Sequence, residues 1–292
     1  MQVVSGISGA VWNYFVVPKA LNDTDHDECE PEANTSDSEL ATQINKSVMK
    51  LYGEFINEEG TAVDYKAMGQ SPSFQSFQLV TRNLNNVSIA NLSENEKKAF
   101  FLNIYNALVI HGYVVNGVPT AQKRMTFYQT TAYRIGGELY SLDDIEHGIL
   151  RGNRKHPAFF IPVCFKDNDP RKAFVMQHVD PRIHFALVCG AKSCPPIRIY
   201  TPQNIEKGLM LAASNFCNSE NNLKIDLEHQ KIYLSQILEW YGKDFGSTQE
   251  EMLNALLPFL SEDKQEQLKK LMEGHYSVSF LKYDWSLNEK AE

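Results

Sequence analysis

One long apolar helix constrains the fold more than any other feature of the sequence. Ser93 and Glu96 form a capping box, which predicts the start of a helix. The stretch that follows, KKAFFLNIYNALVIHGYVV, is apolar on nearly every side. Such a helix has to be covered all round, so we expect it to be the central buried helix. Its amides Asn103 and Asn106 share one face, and once buried they need backbone groups or a neighbouring side chain as hydrogen-bond partners.

Short strands are predicted around this helix. Gly136-Gly137 is typical of a two-residue hairpin turn, and residues 223–227 and 231–234 form a second hairpin-like pair. Residues 183–188 are predicted to form a short apolar strand that ends at Cys189. Hairpin strands with helices clustered about them indicate the α+β class, with further helices surrounding the central one.

The chain is predicted to contain one globular domain, residues 40–292. Residues 1–39 form an N-terminal segment, and within it residues 22–39 are acidic, polar and almost free of apolar side chains, which predicts a disordered linker. No uninterrupted apolar run is long enough to predict a transmembrane segment.

Charge and cysteine usage narrow the class of protein. The net charge of −8 and the absence of basic runs argue against nucleic acid as a partner. Five cysteines in 292 residues are too few for a disulfide scaffold, which favours free thiols and a cytoplasmic location, with secretion left open.

The cysteines also carry the candidate chemistry. Cys189 and Cys194 are five residues apart, a spacing typical of neither a CxxC redox site nor a zinc knuckle, and no cofactor or metal site is predicted. On a strand, His184 would point away from Cys189, so it is predicted to be a buried or supporting histidine, not a base. Further upstream, Asp143 and His147 lie one helical turn apart, as an orienting carboxylate and an imidazole would.

Four segments together resemble the domain-of-unknown-function 547 family, over roughly residues 45–290. They are FFLNIYNALVIHGY (100–113), YRIGGELYSLDDIEHGILR (133–151), DPRIHFALVCGAKSCPPIRIYT (180–201) and YDWSLN (283–288). The resemblance implies a fold similar to the papain/transglutaminase-like group, with a central helix packed on an antiparallel sheet.

The resemblance also implies a Cys/His/Glu site. Cys189 would attack as the thiolate and His147 would serve as general base and then general acid. Glu146 would orient the imidazole, with Asp143 as the alternative on helix geometry. The implied function is a thiol-dependent hydrolase or transferase acting on an amide, peptide or thioester bond. The alternative is a catalytically inactive module of the same fold that binds a peptide or a partner protein.

The remaining candidate residues would support that site. Asn103 and Asn106 are candidates for orienting the reacting side chains or for donating hydrogen bonds to an oxyanion. Cys194 and His184 are predicted to support the reacting side chains without reacting themselves. Three cations near the cysteine loop are candidates for binding a carboxylate-bearing substrate such as a small peptide, and solvated surface charges are the equal alternative: Arg182, Lys192 and Arg198. A thiol-containing ligand is the other candidate partner. The oligomeric state is not predicted.

Overall fold

The structure is a computed structural model that describes residues 18–23, 36–59, 61–158, 161–191, 193–286 and 288–290. Its α-helices are α1 (Asp37–Phe55), α2 (Tyr65–Gly69), α3 (Pro72–Arg82), α4 (Glu94–Asn116), α5 (Arg124–Thr130), α6 (Ile205–Asn218), α7 (Gln236–Phe245), α8 (Gln249–Leu256) and α9 (Glu262–Met272). The strands are β1 (Lys19–Ala20), β2 (Thr131–Ile135), β3 (Glu138–Ser141), β4 (Leu223–Asp226), β5 (Lys231–Ser235) and β6 (Ser277–Leu281). A π-helix spans Asp144–Leu150, and one of the 3₁₀ turns spans Pro181–Phe185.

The predicted central helix is confirmed as α4. Its capping box is formed: Ser93 Oγ accepts from the Glu96 N–H at 3.4 Å, and a Glu96 carboxylate oxygen accepts from the Ser93 N–H at 2.9 Å. The helix packs against α1, α2 and β2. Among the described residues it alone is long and apolar enough to cross a membrane, but 83% of its most apolar window is buried inside the protein. A membrane-spanning segment is therefore not supported in this part of the chain.

The mixed helix-and-strand class is confirmed, but the single antiparallel sheet is not. Both predicted hairpins form, as β2–β3 and β4–β5. Each gains a third strand in parallel: β1 beside β2, and β6 beside β5. Two small mixed sheets result, because strands distant in sequence add to the free edge of each hairpin.

The folded part begins before residue 40. Strand β1 pairs with β2, and the buried Asn22 amide donates to the carbonyl oxygens of Thr81 and Arg134 at 3.0 and 2.9 Å. Helix α1 begins at Asp37, where the Ser36 hydroxyl accepts from the Glu39 N–H. The acidic stretch from 24 to 35 that carries most of the predicted linker lies outside the described residues.

The prediction of a strand over residues 183–188 is wrong. Pro181–Phe185 is a 3₁₀ turn, begun by the Asp180 carboxylate accepting from the Arg182 N–H at 3.1 Å, with Pro181 at its first position. An apolar run this short suits a buried turn as well as a strand. The turn lies where two hydrophobic clusters meet: Ile183 belongs to the cluster around α4, and Phe185 to the cluster formed by α6 to α9 and β4–β5. Because there is no strand here, the argument that His184 and Cys189 point to opposite faces of one does not hold.

Candidate functional site

An amide on the central helix fixes the chain just before Cys189. The Asn106 side chain donates to the Ala186 carbonyl at 3.1 Å and accepts from the Val188 N–H at 2.9 Å. Asn103 holds Tyr200 in the same way, with hydrogen bonds of 2.6 and 3.0 Å. The expectation that these buried amides bind backbone groups is confirmed. They orient the two chain segments that flank the cysteine loop, and their role as oxyanion donors stays a prediction.

A glycine and a tyrosine shape the turn immediately after Cys189. Gly190 has φ +74°, and a Cβ there would lie 2.7 Å from Cε2 of Tyr113. The Tyr113 hydroxyl donates to the carbonyl oxygen of Cys189. A larger residue at 190 would suffer both backbone strain and a clash with this ring.

Two thiols meet at one hydroxyl. Cys189 Sγ lies 3.2 Å and Cys194 Sγ 3.1 Å from Oη of Tyr283. The backbone N–H of Cys189 also donates to Cys194 Sγ at 3.0 Å, and the Cys194 N–H donates to the Ala191 carbonyl at 2.9 Å. The loop therefore folds back so that Cys194 stands directly beside Cys189.

These contacts give the Cys189 thiol a lower pKa than the other described cysteines have. The hydrogen bond from Cys194 is the largest influence, and with a further one from Tyr283 it outweighs burial and lowers the pKa of Cys189 to about 7. Burial raises the pKa of the Cys194, Cys164 and Cys217 thiols, the last to about 12. Within the described part of the chain, Cys189 is the thiol that ionises most readily.

The helical segment after Ser141 is closed by hydrogen bonds at its start and widened beyond it. The Asp144 carboxylate accepts from the Ser141 N–H and hydroxyl at 3.0 and 2.9 Å, and Ser141 Oγ accepts from the Asp144 N–H at 3.1 Å. From Asp144 onward the backbone is a π-helix, in which the Arg151 N–H donates to the Glu146 carbonyl five residues earlier. Such widened turns are frequent at functional sites.

Glu146 is bound by tyrosines. Its carboxylate accepts from the Tyr105 hydroxyl at 2.9 Å and from the Tyr241 hydroxyl at 2.6 Å. Burial acts to raise the pKa of Glu146, but the hydrogen bond from Tyr241 and the nearby Arg151 guanidinium act against it, and the pKa is lowered overall. Glu146 is therefore a half-buried carboxylate that stays ionised.

The partner of His147 is an arginine, not the predicted carboxylate. Its Nδ1 lies 2.9 Å from Nη1 of Arg151 and 4.0 Å from the Glu146 carboxylate. Since a guanidinium can only donate, Nδ1 accepts and the neutral ring carries its proton on Nε2. Burial lowers the pKa of His147 to about 3. Orientation of the imidazole by Glu146 is thus not seen as a hydrogen bond, and Arg151 fixes the tautomer instead.

An aspartate that the sequence did not single out completes this cluster. Asp244 accepts from Arg151 at 2.7 Å and from Arg154 at 2.9 Å, and it lies 2.8 Å from Nε2 of His184. The His184 ring stacks on Tyr241 with centroids 4.0 Å apart. His184 is buried beside its carboxylate, in keeping with a supporting role. Asp244 lies 60 residues further along the chain, and no spacing rule links it to His184.

The Cys189 thiol is held by hydroxyl, thiol and backbone groups. Among the described residues, the hydrogen bonds of the Cys189 thiol involve Tyr283, Cys194 and the Ala191 backbone, and no imidazole. Tyr105 lies within electrostatic range of both Cys189 and Glu146, and its pKa is raised by burial and then by those charges. Tyr105 on α4 is therefore close enough to interact electrostatically with both the thiol and the Glu146 carboxylate of the π-helix.

The structure gives a different outcome for each of the three predicted substrate-binding cations. Arg182 is bound to Asp180 at 2.9 and 2.7 Å and to Glu206 at 2.6 Å, so its guanidinium is already paired with carboxylates. Arg198 has a buried Nε without a hydrogen-bond partner. Lys192 lies outside the described residues.

Asp143, His147 and His156 bring possible ligand atoms within 4.8 Å of one another, which raises the question of a metal site. Their hydrogen bonds oppose it. Nδ1 of His156 accepts from the Ala158 N–H at 2.9 Å, as Nδ1 of His147 accepts from Arg151. Metal-bound histidines instead donate from the second nitrogen. Since Nδ1 accepts in both rings, Nε2 carries the proton in each, and these two histidines are not arranged to coordinate a metal ion.

The resemblance noted in the sequence rests on the segments that form this region. Residues 89–217 match the model of the family described as "Protein of unknown function, DUF547". The match supports the assignment to that family over α4, the π-helix and the cysteine loop, a shorter stretch than residues 45–290. No curated protein matches the chain. No solved structure matches it either.

Proposed function

We propose that this protein is a thiol-dependent hydrolase or transferase that acts on an amide, peptide or thioester bond through Cys189, on a divergent papain/transglutaminase-like fold. The observation that carries the proposal is the paired hydrogen bonding of the Cys189 thiol by Cys194 and Tyr283, which lowers its pKa to about 7. This thiol then ionises more readily near neutral pH than an ordinary cysteine, as a nucleophile requires.

The reaction takes two steps. The Cys189 thiolate attacks the substrate carbonyl carbon, the bond to the leaving nitrogen, oxygen or sulfur breaks as that atom takes up a proton from solvent, and the acyl group is held as a thioester. Water or an amine then attacks the thioester and releases the acyl group, which restores the thiol. Hydrolysis and transfer differ only in the acceptor that takes the acyl group.

The contacts of His147 favour a neutral imidazole at neutral pH. Its pKa of about 3 makes it a weak base, and it has no hydrogen bond to the thiol. In the proposal, thiolate formation therefore depends on Cys194 and Tyr283, and the Nε2–H of His147 serves as a donor to the substrate or leaving group. The proposal keeps a cytoplasmic location, where the reacting thiol stays reduced.

Acylation by para-nitrophenyl acetate tests the proposal. We expect a burst of nitrophenol equal to one acetyl group per chain, placed on Cys189 by peptide mass spectrometry, followed by continuous turnover. Cys189→Ser should lose both phases. Cys217→Ala, which alters a buried thiol outside the site, should keep both.

Two outcomes would count against this function. No acetylation of Cys189 would remove the nucleophile. Acetylation that never turns over, with water or with an added primary amine, would leave a reactive thiol without catalysis and would favour the inactive binding module instead.

A further inference from the structure

The pairing of Cys189 with Cys194 has a use that acyl transfer does not need. Both sulfurs lie within hydrogen-bond distance of the Tyr283 hydroxyl, and Cys194 Sγ also contacts the backbone N–H of Cys189 at 3.0 Å. A nucleophile needs a donor at this position, but a hydroxyl or an amide would serve. A second thiol adds the ability to form a disulfide.

The loop geometry permits that bond. Gly190, at φ +74°, and the turn closed by the hydrogen bond from the Cys194 N–H to the Ala191 carbonyl bring the two cysteines side by side. Disulfides join residues whose Cα atoms are about 4.4–6.8 Å apart. A cysteine whose sulfur touches the backbone nitrogen of another is within that range or at its edge. Rotation of the two side chains then brings the sulfurs together.

We propose that Cys189 and Cys194 form a reversible disulfide when a hydroperoxide oxidises Cys189. The Cys189 thiolate attacks the terminal oxygen of the peroxide, an S–O bond forms as the O–O bond breaks, and the other oxygen leaves as an alcohol or water after taking up a proton. Cys189 is then a sulfenic acid. The Cys194 sulfur gives up its proton and attacks the Cys189 sulfur, the S–O bond breaks, and water leaves.

The electrons balance over these steps. The two thiols together lose two electrons, which reduce the peroxide, and a dithiol reductant returns them by thiol–disulfide exchange. The thiolate character of Cys189 makes it the first sulfur oxidised, whereas the raised pKa of Cys194 suits a thiol that reacts second. This inference goes beyond the proposed function, because it needs the two thiols and no acyl substrate. Oxidation would also switch off any acyl transfer at Cys189.

Trypsin gives a direct readout, because cleavage after Arg182, Lys192 and Arg198 puts the two cysteines in separate peptides, residues 183–192 and 193–198. Treatment of the whole protein with one equivalent of hydrogen peroxide, followed by alkylation and digestion, should yield these two peptides linked. A dithiol reductant should restore both in free form. Cys217→Ala should give the same linked pair.

Cys194→Ser separates the two stages. Without the second thiol, we expect the sulfenic acid at Cys189 to persist long enough for capture by dimedone, and excess peroxide to carry it to the sulfinic acid that dithiols cannot reduce. The wild type should resist that step.

The inference is overturned if peroxide gives no linked pair, if Cys189 is linked mainly to Cys164 or to a second chain, or if wild type and Cys194→Ser reach the sulfinic acid at the same rate. The burst with para-nitrophenyl acetate, measured on reduced protein without peroxide, reports the proposed function separately. Either result can therefore fail alone.

Discussion

Replacing Tyr283 by phenylalanine would remove a single hydroxyl from the thiol pair and leave the ring in place. The ring packs against both Trp240 and Trp285, with centroid distances of 5.2 and 4.5 Å, so its position should survive. A hydrogen bond to a charged group contributes about 1.5–3 kcal/mol, and one pKa unit corresponds to about 1.36 kcal/mol. Since the donor Cys194 remains, we expect the pKa of Cys189 to rise by about one unit, from about 7 to about 8.

The rate of alkylation by iodoacetamide, followed across pH on the peptide that carries Cys189, measures this shift. At about pH 6 roughly one thiol in ten is ionised when the pKa is about 7, and roughly one in a hundred when it is about 8. The Tyr283→Phe variant should therefore react about tenfold more slowly there, and at the wild-type rate well above pH 9, where both thiols are ionised.

His147→Gln provides the matched comparison, because glutamine retains an acceptor for Arg151. The imidazole has no hydrogen bond to the thiol, so the midpoint of the alkylation profile should stay within about 0.3 units of wild type. The reasoning is refuted if Tyr283→Phe leaves the profile unchanged while His147→Gln moves it by a unit or more. In that case the imidazole, not the hydroxyl, stabilises the thiolate.

Three further substitutions test the surroundings of the thiol and the buried histidines. In urea titrations, Gly190→Ala should lower the free energy of unfolding by more than Gly137→Ala. Both glycines have positive φ, but of the two only position 190 also lacks room for a Cβ. Equal losses of stability would contradict the clash with Tyr113. Asn106→Ala should lower the free energy of unfolding by roughly 2–5 kcal/mol, because the two backbone groups that the amide binds lose their partner in the core. Replacing the exposed Asn254 by alanine should change it by no more than about 0.5 kcal/mol. Similar losses for the two variants would mean that the Asn106 amide is dispensable. Burial lowers the pKa of His111 to about 3, so between about pH 6.5 and pH 3 the unfolded state binds a proton that the folded state does not. As the pH is lowered through this range, the free energy of unfolding should therefore decrease by about 1.4 kcal/mol per pH unit because of this residue. His111→Gln should reduce that slope by the same amount, and an unchanged slope would contradict the lowered pKa.

The elements that the sequence predicts best are those with local signals. The capping box and the unbroken apolar run identified α4, and the glycine pair and the spacing of short apolar runs identified both hairpins. The third strand of each sheet was not predictable in the same way, because β1 and β6 join strands more than 40 residues away and carry no turn signal. Their parallel pairing is decided by tertiary packing.

The segment before Cys189 shows how a short apolar run misleads. Its backbone partners are the side chains of Asp180 and Asn106, not a neighbouring strand, and neither contact leaves a period in the sequence. The prediction that Asn106 would bind backbone groups was correct, because a buried amide has few alternatives. The sequence identified which amide would be buried, but not which backbone groups it would bind.

The candidate residues could be named from the sequence, but the side chains that contact them could not. Cys189, Glu146 and His147 all lie in the segments that carried the resemblance, yet the partners that set their chemistry are Tyr283, Tyr241 and Arg151. Tyr283 is 94 residues from Cys189, and Tyr241 is 95 residues from Glu146. Pairings at that separation follow from the fold and not from spacing.

The central claim is that Cys189 is a thiol activated by its hydrogen-bond donors, and its direct titration is the most immediate test. The ultraviolet absorbance of thiolate, measured across pH for the reduced wild type and for Cys189→Ser, gives the titration of this one group as a difference. The account predicts a single ionisation with a midpoint at about 7. A midpoint at about 8.5 or above, the range of an ordinary cysteine, would contradict it.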